Sequence, residues 1–244
     1  MDFLREWRRF LSALRFMTLW PGGGKKGAPL AAGATYFPLV GILVGAAATI
    51  TGGIFTALFS PALFGVVAAL SLLIFTRAAQ AEGLANVLEG LLIGRTPEAR
   101  LRLMGESHLG SIAALSLLGL LLIKVIALSN IPSGAGPGTL IAAAALSRWT
   151  TTYLSYKEPY MAPSGELGFV GQLKGGGLAI ATVIAVLVGG LALGMRGLVL
   201  LLILWAGSAA ARAYFKRSLG GLTRVTYGAI AETAETLVLL TSVG

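Results

Sequence analysis

The chain contains no cysteine in 244 residues. Disulfides and thiol catalysis are thereby excluded. His108 is the only histidine, which excludes zinc sites built from several imidazoles. Aspartate is almost missing as well: Asp2 stands alone, and the other acidic residues are glutamates. Only 12% of the residues are charged, against about 25% in a soluble domain. No long polar linker interrupts the chain, so residues 1–244 are expected to form a single membrane domain.

What is present is apolar. Hydrophobic residues make up 56%, and the mean hydropathy is +0.83. Apolar runs of roughly 20 residues recur along the chain, the length that crosses a bilayer. The expected fold class is therefore all-α: a polytopic integral membrane helical bundle in the lipid bilayer. About seven spans are expected, near 35–58, 62–79, 111–130, 138–155, 177–195, 198–215 and 228–243. Residues 1–20 lack the uncharged core and small-residue cleavage site of a signal peptide. Phe3, Leu4, Trp7, Phe10, Leu11, Leu14 and Met17 share one helical face, with most arginines elsewhere. That pattern predicts an amphipathic helix lying in the membrane interface.

Charge sets the orientation. Nineteen basic against ten acidic residues give a net +9. No aromatic-basic stretch resembles a nucleic-acid module, so no nucleic-acid partner is expected. With the N-terminus inside, nearly all loop arginines and lysines fall on the inner side; the outer connections hold only Arg196. The positive-inside rule thus predicts a multi-pass protein of the cell (inner) membrane, with N-terminus and active site cytoplasmic. The polar groups of the inner segments 80–110 and 156–176 are where chemistry is expected.

In "QAEGLANVLEG" (Gln80–Gly90), Glu82, Asn86 and Glu89 are spaced i, i+4, i+7 and share a helix face. Such oxygens suit a hard divalent cation, and Glu106 can add a fourth. Arg95, Arg100 and Arg102 between them suit phosphates. The alternative is a solvated loop helix with i, i+4 charge pairs, such as Glu98 with Arg102. Glu232 and Glu235 begin the last span and are read either as functional or as interfacial. Lys124 is expected to snorkel to the membrane surface. Arg148, mid-span in "LSRWTT", calls for a buried anion or a substrate phosphate. The loop 156–176 is long enough to cap a site.

These segments together resemble the cobalamin synthases, the adenosylcobinamide-GDP ribazoletransferases. "YFPLVGILVG" (Tyr36–Gly45) is similar to the family's first span. "QAEGLANVLEG" aligns without gaps to H-L-D-G-L-A-D-T-x-D-G, and "MGESHLGS" resembles M-R-D-S-R-L-G-T. "LSRWTT", "YMAPSGELGF" and "RSLGGLTRVTYGAIAETAE" follow in family order. The motif aspartates become Glu82, Asn86, Glu89 and Glu106, the two histidine and arginine positions become Gln80 and His108, and T-G-D becomes Thr223-Arg224-Val225.

The resemblance implies a Mg²⁺-dependent membrane transferase of cobalamin biosynthesis. It would transfer the cobinamide-phosphate of adenosylcobinamide-GDP to α-ribazole, or to its 5′-phosphate, and release GMP. Carried over by position, Glu82, Glu89, Glu106 and Glu232 are the catalytic carboxylates, and Arg95, Arg102 and Arg148 hold phosphates. Glu82, Asn86, Glu89 and Glu106 are the ligands of Mg²⁺ or Mn²⁺. The competing reading is a catalytically altered or inactive membrane paralogue that binds a corrinoid or nucleotide.

Overall fold

The computed structural model describes residues 2–20, 30–106, 108–132, 134–156 and 173–243. Residues 21–29 and most of the loop 156–176 lie outside these residues. All regular elements among the described residues are helical. The chain begins with α1 (Asp2–Met17), a single turn α2 (Leu30–Gly33) and a 3₁₀ turn (Ala34–Tyr36) that runs into α3 (Phe37–Leu58). Next come α4 (Leu63–Phe75), α5 (Ala79–Ile93) and the short α6 (Pro97–Gly105). The rest is α7 (Ser111–Ser129), α8 (Gly136–Leu154), α9 (Gly175–Leu193), α10 (Met195–Leu219) and α11 (Arg224–Leu240).

Helix α8 is the axis of the bundle. It packs on α3, α9, α10 and α11, and every residue from Ala142 to Thr152 is buried. Small residues make this possible. Ala142 to Ala145 have no accessible surface, and Gly41 and Gly45 of α3 lie against the α8 backbone at Ala144 and Leu140. This small-xxx-small stripe lets two backbones meet where lipid provides no hydrophobic drive between helices. Outward-facing Leu115, Val183, Leu187, Leu191 and Leu202 are all more than half exposed, as a lipid-facing surface requires.

By length and hydropathy, four helical stretches can cross a membrane: Ala34–Leu58, Ser111–Ser129, Gly175–Leu193 and Met195–Leu219. The bent pair α4–α5 makes a fifth if taken together. The expected spans 138–155 and 228–243 are present as α8 and α11. Both are enclosed by other helices and carry polar groups, so they fall short of the lipid-facing pattern. The expected span 62–79 is corrected. Helix α4 stops at Phe75 after 13 residues, roughly 20 Å, short of the roughly 30 Å hydrocarbon core. The chain then turns by 87° into α5.

That turn has a definite mechanism. Arg77 N–H donates to Ile74 O (3.0 Å) and Ala78 N–H donates to Leu73 O (2.7 Å). This is the paired bonding of a Schellman helix end. Its left-handed position, usually glycine, is Arg77 at φ +56°, followed by Ala78 at φ +53°. Neither residue has a sequence signal for a break.

Helix α1 both docks and protrudes. Phe10, Leu14 and Met17 pack on the core, Phe16 stacks on Phe37 at 5.8 Å, and Leu19 N–H bonds to Phe75 O at 2.9 Å. Tyr36 OH donates to Glu6 Oε2 at 2.7 Å. With the Arg9 guanidinium also on Glu6, this bond holds the carboxyl below the usual glutamate range. Phe3 (78%) and Leu4 (63%) stay exposed, in keeping with an interfacial helix whose second half is anchored.

Candidate functional site

Helices α5 and α11 carry two of the motif segments, and they cross at glycine. A Cβ on Gly83 would meet Val225 O at 2.7 Å and Gly228 Cα at 3.0 Å. One on Gly228 would meet Ala79 O at 3.0 Å. The glycines that cost helix stability in sequence thus allow backbone contact between two helix N-termini. Helix α11 starts with a reciprocal cap: Thr223 N–H donates to Thr226 Oγ1 (2.8 Å) and Thr226 N–H to Thr223 Oγ1 (3.4 Å). Helix α5 follows Ala78, whose side chain offers no cap.

Beside this crossing lies a cavity of about 440 Å³. Arg15 and Met17 of α1, Arg77 at the break, Gln80 of α5, Thr151 of α8 and Arg224 of α11 are among its lining residues. The cavity therefore sits at the bundle end where the N-termini of both motif helices gather.

One turn deeper than Thr151 and Ala231, a second polar cluster is sealed in the bundle. Lys124 (α7), Arg148 (α8), Glu232 and Glu235 (α11) are each at most 2% exposed. Lys124 Nζ contacts Glu232 Oε1 and donates to Glu235 Oε1 at 2.7 Å. Arg148 donates to Glu235 Oε2 and to Ala144 O, the latter at 3.0 Å. Two cations face two anions, so the formal charge closes to zero inside a medium that penalises any imbalance. Lys124 does not snorkel, against expectation: the nearby carboxylates outbid the distant surface. Arg148 finds its anion in Glu235, and Glu232 and Glu235 are interior rather than interfacial.

A model of the cobalamin-5-phosphate synthase family matches residues 9–243. The chain belongs to this family. Among its relatives, the adenosylcobinamide-GDP ribazoletransferase of Chlorobaculum tepidum is 32% identical over 236 residues, covering 94% of this chain and 92% of the relative. The enzyme of the same name from a Roseiflexus species is 32% identical over 242 residues, covering 94% and 87%. That of an Escherichia coli strain is 32% identical over 212 residues, covering 84% of each chain. No solved structure matches.

The cobalamin-5-phosphate synthase motif residues are distributed unevenly by the fold. Glu82 is exposed and stands one turn along α5 from Ala79, which lines the cavity. Asn86 is buried on the same helix. Glu89 is 8% exposed, and its Oε2 accepts the Ala113 N–H at 2.8 Å. It thereby caps the N-terminus of α7 from a neighbouring helix, a position the helix dipole favours for an anion. Glu106 is exposed at the end of α6. Among the described residues, no three carboxylate or imidazole side chains converge to hold a metal. Glu82 and Asn86 remain as hard oxygen donors at i, i+4. That pair suits an ion of the Mg²⁺ type, which commonly takes one or two protein oxygens and completes its shell with phosphates and water.

Arg95 and Arg102 are exposed near α6 and do not line the cavity. Arg100 is engaged structurally, its Nε donating to Gly94 O at 3.0 Å. The arginines that do line it, Arg15, Arg77 and Arg224, were not singled out by spacing. Arg77 lay inside an expected span, and Arg15 belonged to an expected surface helix. Arg224 alone carried a signal, standing in the last motif where the family pattern has glycine.

Proposed function

We propose that this protein is the transferase that joins the two halves of the lower ligand loop of cobalamin. The ribose hydroxyl of α-ribazole, or of its 5′-phosphate, attacks the phosphorus attached to the cobinamide arm of adenosylcobinamide-GDP. The bond from that phosphorus to the bridging oxygen breaks and GMP leaves. The observation that carries this reading is the near full-length family match together with the meeting of the two motif helices beside a cavity.

The residues divide the work. Glu82, one helical turn from the cavity wall at Ala79, takes the proton of the attacking hydroxyl in this reading. Glu82 and Asn86 would hold Mg²⁺ or Mn²⁺, which when bound neutralises charge on the diphosphate. Glu89 fixes the N-terminus of α7 against α5 and keeps the motif segments in register. Glu232 and Arg148 act below the cavity floor by holding α7, α8 and α11 together.

The N-terminus and the cavity face the cytoplasm of a cell with this protein in its inner membrane. The support is the concentration of arginine and lysine at that end. Labelling of Glu98→Cys by an impermeant reagent from outside intact cells would overturn the orientation. The reaction is tested in a bacterial host whose own ribazoletransferase gene has been deleted. Expression of this chain should restore cobalamin formation from supplied cobinamide. Normal expression in the membrane without restoration would count against the transferase.

A further inference from the structure

The cavity at the α5–α11 crossing is lined by three arginines, Arg15, Arg77 and Arg224. Among the described residues no carboxylate lines it. Arg77 and Arg224 are exposed at its mouth and Arg15 is half-buried, so the opening carries positive charge that draws anions in. The arrangement is favourable when an anion enters. Gln80 and Thr151 add neutral donors to the same walls. The volume, about 440 Å³, falls in the range of small-molecule sites.

The backbone points the same way. Arg77 occupies the left-handed position of a Schellman helix end, where glycine is the unstrained residue. Backbone strain of this kind, shared here by Ala78, clusters at functional sites. The break it creates presents the start of α5, which has no side-chain cap, to the cavity, where Ala79 and Gln80 line it. Arg224 opens α11 from the opposite wall. Guanidinium groups and first-turn N–H groups are both donors without acceptor capacity, the combination that recognises phosphate oxygens.

We propose that this cavity is a phosphate seat: it binds a diphosphate or phosphate monoester through Arg15, Arg77 and Arg224, and does so without a bound metal. Two sources share that chemistry, a soluble nucleotide and the headgroup of an anionic phospholipid beside α1. The choice of GDP as probe rests on the proposed transferase reading; the site itself rests on the cavity.

The test uses the full chain purified in detergent, with EDTA present, titrated calorimetrically with GDP, inorganic pyrophosphate and guanosine. A parallel arm titrates pyrophosphate into nanodiscs of phosphatidylglycerol or of phosphatidylcholine. Arg77→Gly is the most informative variant, because glycine suits the backbone at that position and the fold is retained while the guanidinium is removed. Arg224→Gln is the second, on an exposed first-turn position.

GDP and pyrophosphate should bind in EDTA while guanosine does not, and each variant should weaken binding by about tenfold or more. Binding that is lost in phosphatidylglycerol but kept in phosphatidylcholine supports the same site with the lipid headgroup as its occupant. The proposal is overturned if the phosphates bind only with added metal, or if both variants bind as tightly as the native chain. GMP release is scored separately. Arginine-dependent binding without turnover keeps this site and removes the transferase reading, and turnover without such binding does the reverse.

Discussion

Replacing Lys124 by methionine keeps the side-chain volume and removes one of two cations from the sealed cluster. What remains is Arg148 paired with Glu235 and Glu232 without its lysine, a net negative charge in residues at most 2% exposed. Breaking a buried pair in this way costs about 3–5 kcal/mol. Glu232→Gln on its own leaves an excess cation and should cost an amount of the same order. The double variant Lys124→Met/Glu232→Gln restores neutrality, leaving Arg148 paired with Glu235. It should therefore be more stable than the sum of the singles by at least about 2 kcal/mol, within the range seen for contacting charged groups. Unfolding of the detergent-solubilised protein, followed by helical circular dichroism, gives all three values. Strict additivity of the two singles, within roughly 0.5 kcal/mol, would refute the reasoning, because it would mean that the two charges do not sense each other.

Other substitutions probe the crossing, the cap and the anchored helix. Gly83→Val would drive side-chain atoms into the α11 backbone at Val225 and Gly228, so a loss of about 1–3 kcal/mol is expected; native-like unfolding would show that the helices do not touch there. Glu89→Ala should cost about 1 kcal/mol through the lost cap on α7, whereas Glu89→Gln, which keeps an oxygen acceptor for Ala113 N–H, should cost much less. Equal losses in the two variants would argue for a role of the charge itself. Acid should release the first half of α1. The Glu6 carboxyl is lowered in the folded state, first by the Tyr36 hydrogen bond and then by that from Arg9. Its contribution is therefore complete above the unfolded value of 4.5 and is lost as pH falls below that through the depressed folded value. Trp7 fluorescence should follow this change, and Glu6→Gln should remove it.

How far the sequence could be read follows from the kind of signal each feature leaves. Helices α3, α7, α9 and α10 are long and apolar, and the runs that announce them are continuous. The α4–α5 break left no trace because its left-handed residues are Arg77 and Ala78, with neither glycine nor proline to mark a stop. With the break unmarked, the cavity beside it has no signature in the sequence. The partner of Lys124 was hidden by distance along the chain, since Glu235 lies 111 residues away. A lone lysine in an apolar run looks the same whether it snorkels or pairs. The α5 face of Glu82, Asn86 and Glu89 was legible from helical spacing alone. That Glu89 spends its carboxylate on α7 was not, because capping across helices depends on tertiary approach.

The most direct test of the transferase assignment is turnover by the purified chain in nanodiscs. Adenosylcobinamide-GDP, α-ribazole and either Mg²⁺ or Mn²⁺ are supplied, and GMP release is followed alongside the mass of the corrinoid product. A parallel sample carries Glu82→Asp, Asn86→Asp, Glu89→Asp, Glu106→Asp and Val225→Asp, which restore the family's acidic pattern. The expected result is metal-dependent GMP release by the native chain, matched by a joined corrinoid product. A native chain that releases no GMP, while the restored variant does, would contradict the assignment and leave a transferase scaffold with another role.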